Sequence, residues 1–147
     1  MTEIWEQTRQ DGFVISTDWS RLDVKWVADF LQHESYWASM VDRAVIEKSI
    51  RNSIAFGLYE ATGKQVGCAL VISDRARYAY LSDIFIATAF RRRKLGVWLL
   101  ETLMAYPEFE NVNRWALRTQ DAQTLYEKVG FRLTGEPMGR AMELTRP

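Results

Sequence analysis

Cysteine, histidine and long apolar runs are nearly absent from this chain, and each absence removes a class of protein. The single cysteine, Cys68, excludes an intrachain disulfide and predicts a reducing compartment. It sits inside the apolar run Val66 to Ile72, with no helix start or basic neighbour to acidify it, and so reads as a small core residue. The only histidine is His33, so no Cys/His cluster supports a metal site and no metal is expected. His33 itself reads as a cation at the end of an amphipathic helix. No apolar stretch approaches the ~20 residues of a membrane span. The opening Met-Thr-Glu-Ile-Trp-Glu lacks both the basic and the apolar part of a signal peptide. Excess charge of one sign is missing too. Nineteen Lys and Arg balance nineteen Asp and Glu, which disfavours nucleic acid as a partner. The expectation is a cytoplasmic protein without membrane or nucleic-acid partners, with residues 1–147 forming one domain.

What the chain does have is apolar and aromatic content sufficient for a packed core. Its most informative stretch is residues 86–100. An apolar strand ending at Ile86 leads into four consecutive cations, Arg91, Arg92, Arg93 and Lys94, and a helix starts at about Leu95. A strand, a basic turn and a helix N-terminus together suit a phosphate group. The first N–H groups of the helix, from Leu95, Gly96 and Val97, are free of intrahelical partners and carry the positive end of the macrodipole. Gly96 lacks a Cβ where a ligand would approach the backbone. A solvated basic turn on an ordinary strand–helix connection is the plainer alternative.

Periodicity and turn chemistry predict a strand over Phe13 to Thr17 and a helix over Leu22 to His33 with Val24, Val27, Phe30 and Leu31 on one face. A second helix is predicted over Asp42 to Asn52, with Ala44, Val45, Ile46 and Ile50 inward. Strands follow at Ala55 to Ala61, Gln65 to Ile72 and Tyr78 to Ile86, the first two joined by a Thr62-Gly63 turn. A helix runs from Leu95 to about Tyr106, a strand from Arg114 to Thr119, and a helix from Asp121 to Val129, with Gly130 placed as its left-handed C-cap. Phe131 to Thr134 and Ala141 to Thr145 close the pattern as strands. The order β-α-α-β-β-β-α-β-α-β-β predicts an α+β fold, a mixed and mostly antiparallel sheet flanked by helices. Strict alternation along the third long strand puts Tyr80, Ser82, Ile84 and Ile86 on one face and Leu81, Asp83 and Phe85 on the other, unless a bulge intervenes.

This order, with three local motifs, resembles the GNAT superfamily of acyl-CoA-dependent N-acetyltransferases over residues 13–144. Arg91 and Gly96 match the ends of the family's phosphate loop, (Gln/Arg)-x-x-Gly-x-(Gly/Ala), while Lys94 stands where the middle glycine belongs. Asp121-Ala-Gln-Thr-Leu-Tyr-Glu-Lys-Val-Gly-Phe131 looks like the C-terminal signature, which more often begins with asparagine. The segments 16–23, 35–38 and 56–59 look like a bacterial subgroup of small members. The resemblance implies acetyl-CoA as co-substrate, bound by the main chain of Ile84, Phe85 and Ile86, by the turn and helix start from Arg91 to Val97, and at Asp121. It implies Tyr126 as the acid that protonates the departing thiolate.

A glycine at position 94 would tolerate positive φ, whereas a lysine there is either strained or compensated by a phosphate contact. The carboxylate that family histone acetyltransferases carry on the strand before the loop aligns near Tyr80 here, so that role does not transfer. Asp83 is the nearest carboxylate, a candidate base or acceptor contact, with an ion pair to an arginine such as Arg118 as the alternative. Tyr36 and Trp37 lie in the segment that walls the acceptor site in this fold, and core packing beneath the loop is their other reading. Trp98 reads as core. The acceptor would be an amine on a small molecule, peptide or protein, and a homodimer is left open. The competing function is a GNAT-fold module that holds acyl-CoA without efficient transfer.

Overall fold

The computed structural model describes residues 3–134 and 142–146, and these contain one six-stranded sheet in the order β1-β2-β3-β4-β5-β6. Along the chain come β1 (Glu6–Thr8), β2 (Val14–Ser16), α1 (Val24–His33), α2 (Arg43–Asn52), β3 (Ile54–Tyr59), β4 (Gln65–Ser73), β5 (Tyr78–Ile86), α3 (Leu95–Met104), β6 (Arg114–Ala116) and α4 (Gln123–Glu127). Pairing is antiparallel from β1 through β5 and parallel between β5 and β6. The fold is therefore α+β, with helices on both faces of a mixed sheet, as the sequence predicts.

Each face buries its own apolar set. Leu95, Leu99, Leu100 and Leu103 of α3 cover Phe56, Leu58, Ala69, Val71 and Leu81. On the opposite face, Val27, Phe30 and Leu31 of α1 and Ile46 and Ile50 of α2 cover Ala55, Cys68, Leu70 and Phe85. Cys68 is fully buried, and burial pushes its thiol up, so it is a core residue. The α1 start is fixed by Asp23, whose carboxylate accepts from the Trp26 N–H at 2.9 Å. In α2, Val45 is 55 % exposed and Ala44 is exposed, not inward. Ile46 and Ile50, one turn apart, take the buried positions, and ion pairs from Arg43 to Asp29 at 2.7 Å and Glu47 at 3.1 Å hold the helix in that rotation.

Several boundaries differ from the sequence expectation. Strand β1 was not predicted, because Glu6, Gln7 and Thr8 are all exposed and carry no apolar alternation. Its position follows from pairing with β2 and from the Thr17 hydroxyl, which accepts the Trp5 N–H at 2.9 Å. Strand β6 stops at Ala116 and α4 spans only Gln123–Glu127. Residues 131–134 form no ladder. Phe131 instead donates its N–H to the Tyr126 carbonyl at 3.1 Å and packs edge-on against the Tyr126 ring, finishing the α4 turn after Gly130, whose φ is +102°. Of the last predicted strand, Ala141 lies outside the described residues, and 142–146 belong to no strand.

Two irregularities in β5 shape everything that follows. Between β4 and β5 the register slips, so that Leu70 faces Asp83 and Val71 faces Leu81, leaving Ser82 unpaired as a bulge. The bulge exchanges the faces. Ala79 and Leu81 share the α3 side with Ile84 and Ile86, while Phe85 joins the α1 side, so strict alternation fails at Ser82. The second irregularity is the short parallel ladder, which pairs only Tyr78, Tyr80 and the residue between them with β6. Beyond Tyr80 the two strands part, and the β6-side edge of β5 has no strand against it among the described residues.

Candidate active site

The gap between the diverging strands opens into a cavity of about 1220 Å³. Its wall is formed by β5 from Tyr80 to Ile86, the turn carrying Arg91, Arg92 and Lys94, the α3 start from Leu95 to Val97, and the segment from Arg118 to Tyr126. Tyr36 and Trp37 complete it from the connection between α1 and α2. Thus Asp83, Ile84, Phe85, Ile86, Asp121 and Tyr126, distant in sequence, come together at one site. Arg93 does not line it. Its guanidinium lies 5.1 Å from the centre of the ring of Phe90, a lining residue, in a cation–π contact. Trp98 also lies outside, packed on the α3 core beneath Arg9 at 5.4 Å.

The basic turn has an unusual backbone. Arg92 and Lys94 have φ values of +65° and +60°, and Lys94, in the left-handed region, is the residue that starts α3. Each costs a non-glycine residue about 1–2 kcal/mol. Lysine at this place therefore adopts the conformation that a glycine would, and the strained alternative is the one realised. Alternation of left-handed residues in a turn brings successive N–H groups to one side, a concavity that suits an anion. The α3 start adds to this, since no side chain caps it and no acid lies in its first turn. Gly96 has room. A Cβ there would meet only the Leu125 methyls at 3.7 and 3.8 Å, so the fold does not require glycine at this position. The Arg91 guanidinium folds back to donate to the Ile86 carbonyl at 3.1 Å, which ties the turn to the end of β5.

About three residues up β5, or ~10 Å from Ile86 at the usual strand rise, the wall changes character. Asp83 is half-buried and accepts the Trp37 indole N–H at 2.6 Å. No ion pair reaches it among the described residues, and Arg118 pairs instead with Glu143. Burial holds the Asp83 carboxyl above the usual carboxylate range, opposed by the Trp37 N–H and the neighbouring Ser82 hydroxyl. Such a raised pKa means that the stability contribution of the carboxyl is fully present below 3.8, its ordinary value, and is lost as pH rises through the folded value. Asp83→Asn is therefore expected to raise the melting temperature at pH 7, with the gap closing as pH falls toward 3.8. A variant that melts lower at pH 7 would show that the carboxylate is stabilised as an anion.

Tyr126 forms the other side of this end. Its ring is buried against the α3 core and Phe131, and the residue lines the cavity. Burial first, then the charges of Tyr36, Asp121 and Asp83, push its hydroxyl up to about 12, so it holds its proton throughout the neutral range. Tyr36 bridges the cleft, its hydroxyl accepting the Gln120 N–H at 3.2 Å, and it meets Trp37 edge-on at 5.1 Å. The two aromatics are thus wall residues, not core beneath a loop.

Sequence reasoning missed Glu34, Phe30, Gln120 and Lys128 as wall residues. Only Phe30 carried a signal, as part of the apolar α1 stripe; it stacks on Phe85 at 3.8 Å and floors the cavity. Among the described residues no group of His, Cys, Asp or Glu side chains could hold a metal ion, and no helix is long and apolar enough to cross a membrane.

Comparison with known proteins bears on the family and the fold. A family model for the acetyltransferase (GNAT) domain matches residues 51–133. A solved GNAT-family acetyltransferase structure from Xanthomonas campestris pv. campestris is 31% identical with a TM-score of 0.81, covering 99% of this chain and 95% of that one. A Gibberella zeae protein named as an acetyltransferase is 29% identical in an alignment 140 positions long that covers 82% of this chain and 78% of the relative. A GNAT-family acetyltransferase from Elizabethkingia anophelis, solved with acetyl-CoA bound, shares the fold with a TM-score of 0.65 at 17% identity, over 86% of this chain and 80% of its own.

Proposed function

The chain belongs to the GNAT acetyltransferase family, and on that premise we propose that it is an acetyl-CoA-dependent N-acetyltransferase acting on a primary amine by direct attack in a ternary complex. One observation carries the reading. A single cavity holds a helix N-terminus with a cationic turn at one end and a protonated tyrosine beside a carboxylate at the other. The acetyl-CoA seen in a structural neighbour supports the choice of co-substrate.

The residues fit coenzyme A chemically. A pyrophosphate needs N–H donors and cations, which Arg91, Arg92, Lys94 and the free N–H groups of Leu95 to Val97 supply. The amides of a pantetheine arm need backbone partners, and the unpaired edge of β5 offers the N–H and C=O of Ile84 and the N–H of Ile86, while Phe85, opposite Cys68, turns its backbone groups toward β4. The Ile86 carbonyl is already engaged by Arg91. Asp121 lies on the same wall near the α4 start.

Acetyl-CoA supplies an activated acyl thioester. Asp83 accepts a proton from the incoming ammonium, directly or through one water, and frees the nitrogen lone pair. The nitrogen–carbon bond forms at the thioester carbonyl and the carbon–sulfur bond breaks. Tyr126 directs its O–H at the developing thiolate. A thiol with a pKa of roughly 8.5 is a stronger acid than this phenol, so Tyr126 acts by a strong hydrogen bond to the thiolate, and the second proton, lost from the nitrogen as the amide forms, passes to the sulfur and leaves the phenol protonated. The presence of Asp83 on the same wall as Tyr126 favours transfer over a module that only binds acyl-CoA.

Calorimetric titration tests the binding half of this reading. Coenzyme A is expected to bind far more tightly than pantetheine, which lacks every phosphate. Equal affinity for the two would remove the Arg91 to Val97 segment from the mechanism.

A further inference from the structure

The transferase reading leaves the acceptor as any primary amine, and the wall around Asp83 narrows it. Two anionic side chains, Glu34 and Asp83, lie at this end together with Phe30, Phe85, Tyr36 and Trp37. The aromatic surface is open. Tyr36 is 49% exposed and Trp37 41%, each with its polar atom on a partner, Gln120 and Asp83 respectively, and the two rings meet edge-on. Three cations of the cavity, Arg91, Arg92 and Lys94, cluster instead at the far end, on the turn that leads into α3, and Lys128 lines the wall after Tyr126. Arg118 is drawn off by Glu143.

We infer that the acceptor is a primary amine carried on an apolar or aromatic stem with no anionic group beside the amine, held as its ammonium between the Asp83 carboxylate and the faces of Trp37 and Tyr36. The inference rests on the transferase reading for the chemistry, but its recognition element is independent of the thioester. An ammonium meets the negative face of an aromatic ring and a carboxylate with no cation of its own, both favourable at close range. A carboxylate or phosphate next to the amine would be brought against Asp83 and Glu34, where like charges in a half-buried wall repel. An apolar stem finds the stacked pair Phe30 and Phe85 as a floor. The class therefore takes in arylalkylamines and side-chain amines within a peptide. It leaves out free α-amino acids as α-amine acceptors, and phosphorylated amino sugars.

The test uses two probes that differ by one carboxylate, tyramine and tyrosine, titrated calorimetrically into the full-length protein with and without coenzyme A. Tyramine is expected to bind at least about tenfold more tightly than tyrosine. Asp83→Asn, which keeps the shape and the Trp37 hydrogen bond, is expected to weaken tyramine and to shrink the gap between the probes. Binding of tyrosine as tight as tyramine would overturn the inference, as would a preference for tyramine that Asp83→Asn leaves untouched, or no binding of either amine. Failure of coenzyme A to bind counts against the transferase reading alone, because the titrations into cofactor-free protein still decide the acceptor class.

Discussion

Tyr126→Phe is expected to lower kcat by ~10²–10⁴, the usual worth of a positioned general acid, while coenzyme A affinity and melting temperature stay close to those of the parent. The separation follows from how the residue is built in. Its ring is buried against the α3 core and Phe131, and phenylalanine keeps those contacts. The hydroxyl makes no hydrogen bond to the described residues, and loss of the O–H leaves no buried partner unsatisfied. A hydroxyl near 12 also predicts that Tyr126 sets no alkaline limb in the pH–rate profile below about pH 10. Full turnover by the phenylalanine variant, measured where chemistry limits the rate, would make Tyr126 a core aromatic and nothing more.

The second large effect is expected at Lys94, where charge and backbone can be separated. Its φ of +60° puts a backbone cost on any residue but glycine, a cost that belongs to the turn and is separate from the charge of the side chain. Lys94→Ala and Lys94→Gly should therefore both lose the same ~1–3 kcal/mol of coenzyme A affinity, the worth of a charge-assisted contact to phosphate. The two should differ in stability instead. The glycine variant is expected to exceed the alanine variant by about 1 kcal/mol, because only glycine adopts left-handed φ without cost. Calorimetry and thermal denaturation of both variants read the two effects apart. Unchanged affinity in both would mean that the ammonium points to solvent and that the turn acts through its N–H groups.

The elements that carry this site were legible because each writes a local signal. The β5 run from Tyr78 to Ile86, the four cations, the α3 start at Leu95 and the Gly130 cap after Tyr126 all depend on residues near one another in sequence. What was not legible depends on partners. The Ser82 bulge arises from the register between β4 and β5, so the true faces of Leu81 and Asp83 cannot be read from β5 alone. The Trp37–Asp83 hydrogen bond joins residues 46 apart in sequence, and it replaced the anticipated Arg118 partner because Arg118 has Glu143. Arg93 looks like its three cationic neighbours until Phe90 draws it aside. Val45 fits an apolar stripe, yet the Arg43 ion pairs turn it outward. Strand β1 is set by its pairing with β2 and by the Thr17 hydroxyl, and its side chains show no apolar alternation.

The central claim is that this cavity transfers acetyl from coenzyme A to an amine, and steady-state turnover tests it most directly. Purified protein is incubated with acetyl-CoA and a panel of amines, with the N-acetyl product identified by mass spectrometry and thioester hydrolysis in the absence of amine as the baseline. The account predicts N-acetylated product from at least one apolar-stemmed amine, with thiol released in step with it and at a rate well above hydrolysis. Tight binding of acetyl-CoA with thiol release at the hydrolysis baseline across the whole panel would contradict it, leaving a module that holds the thioester without transferring it.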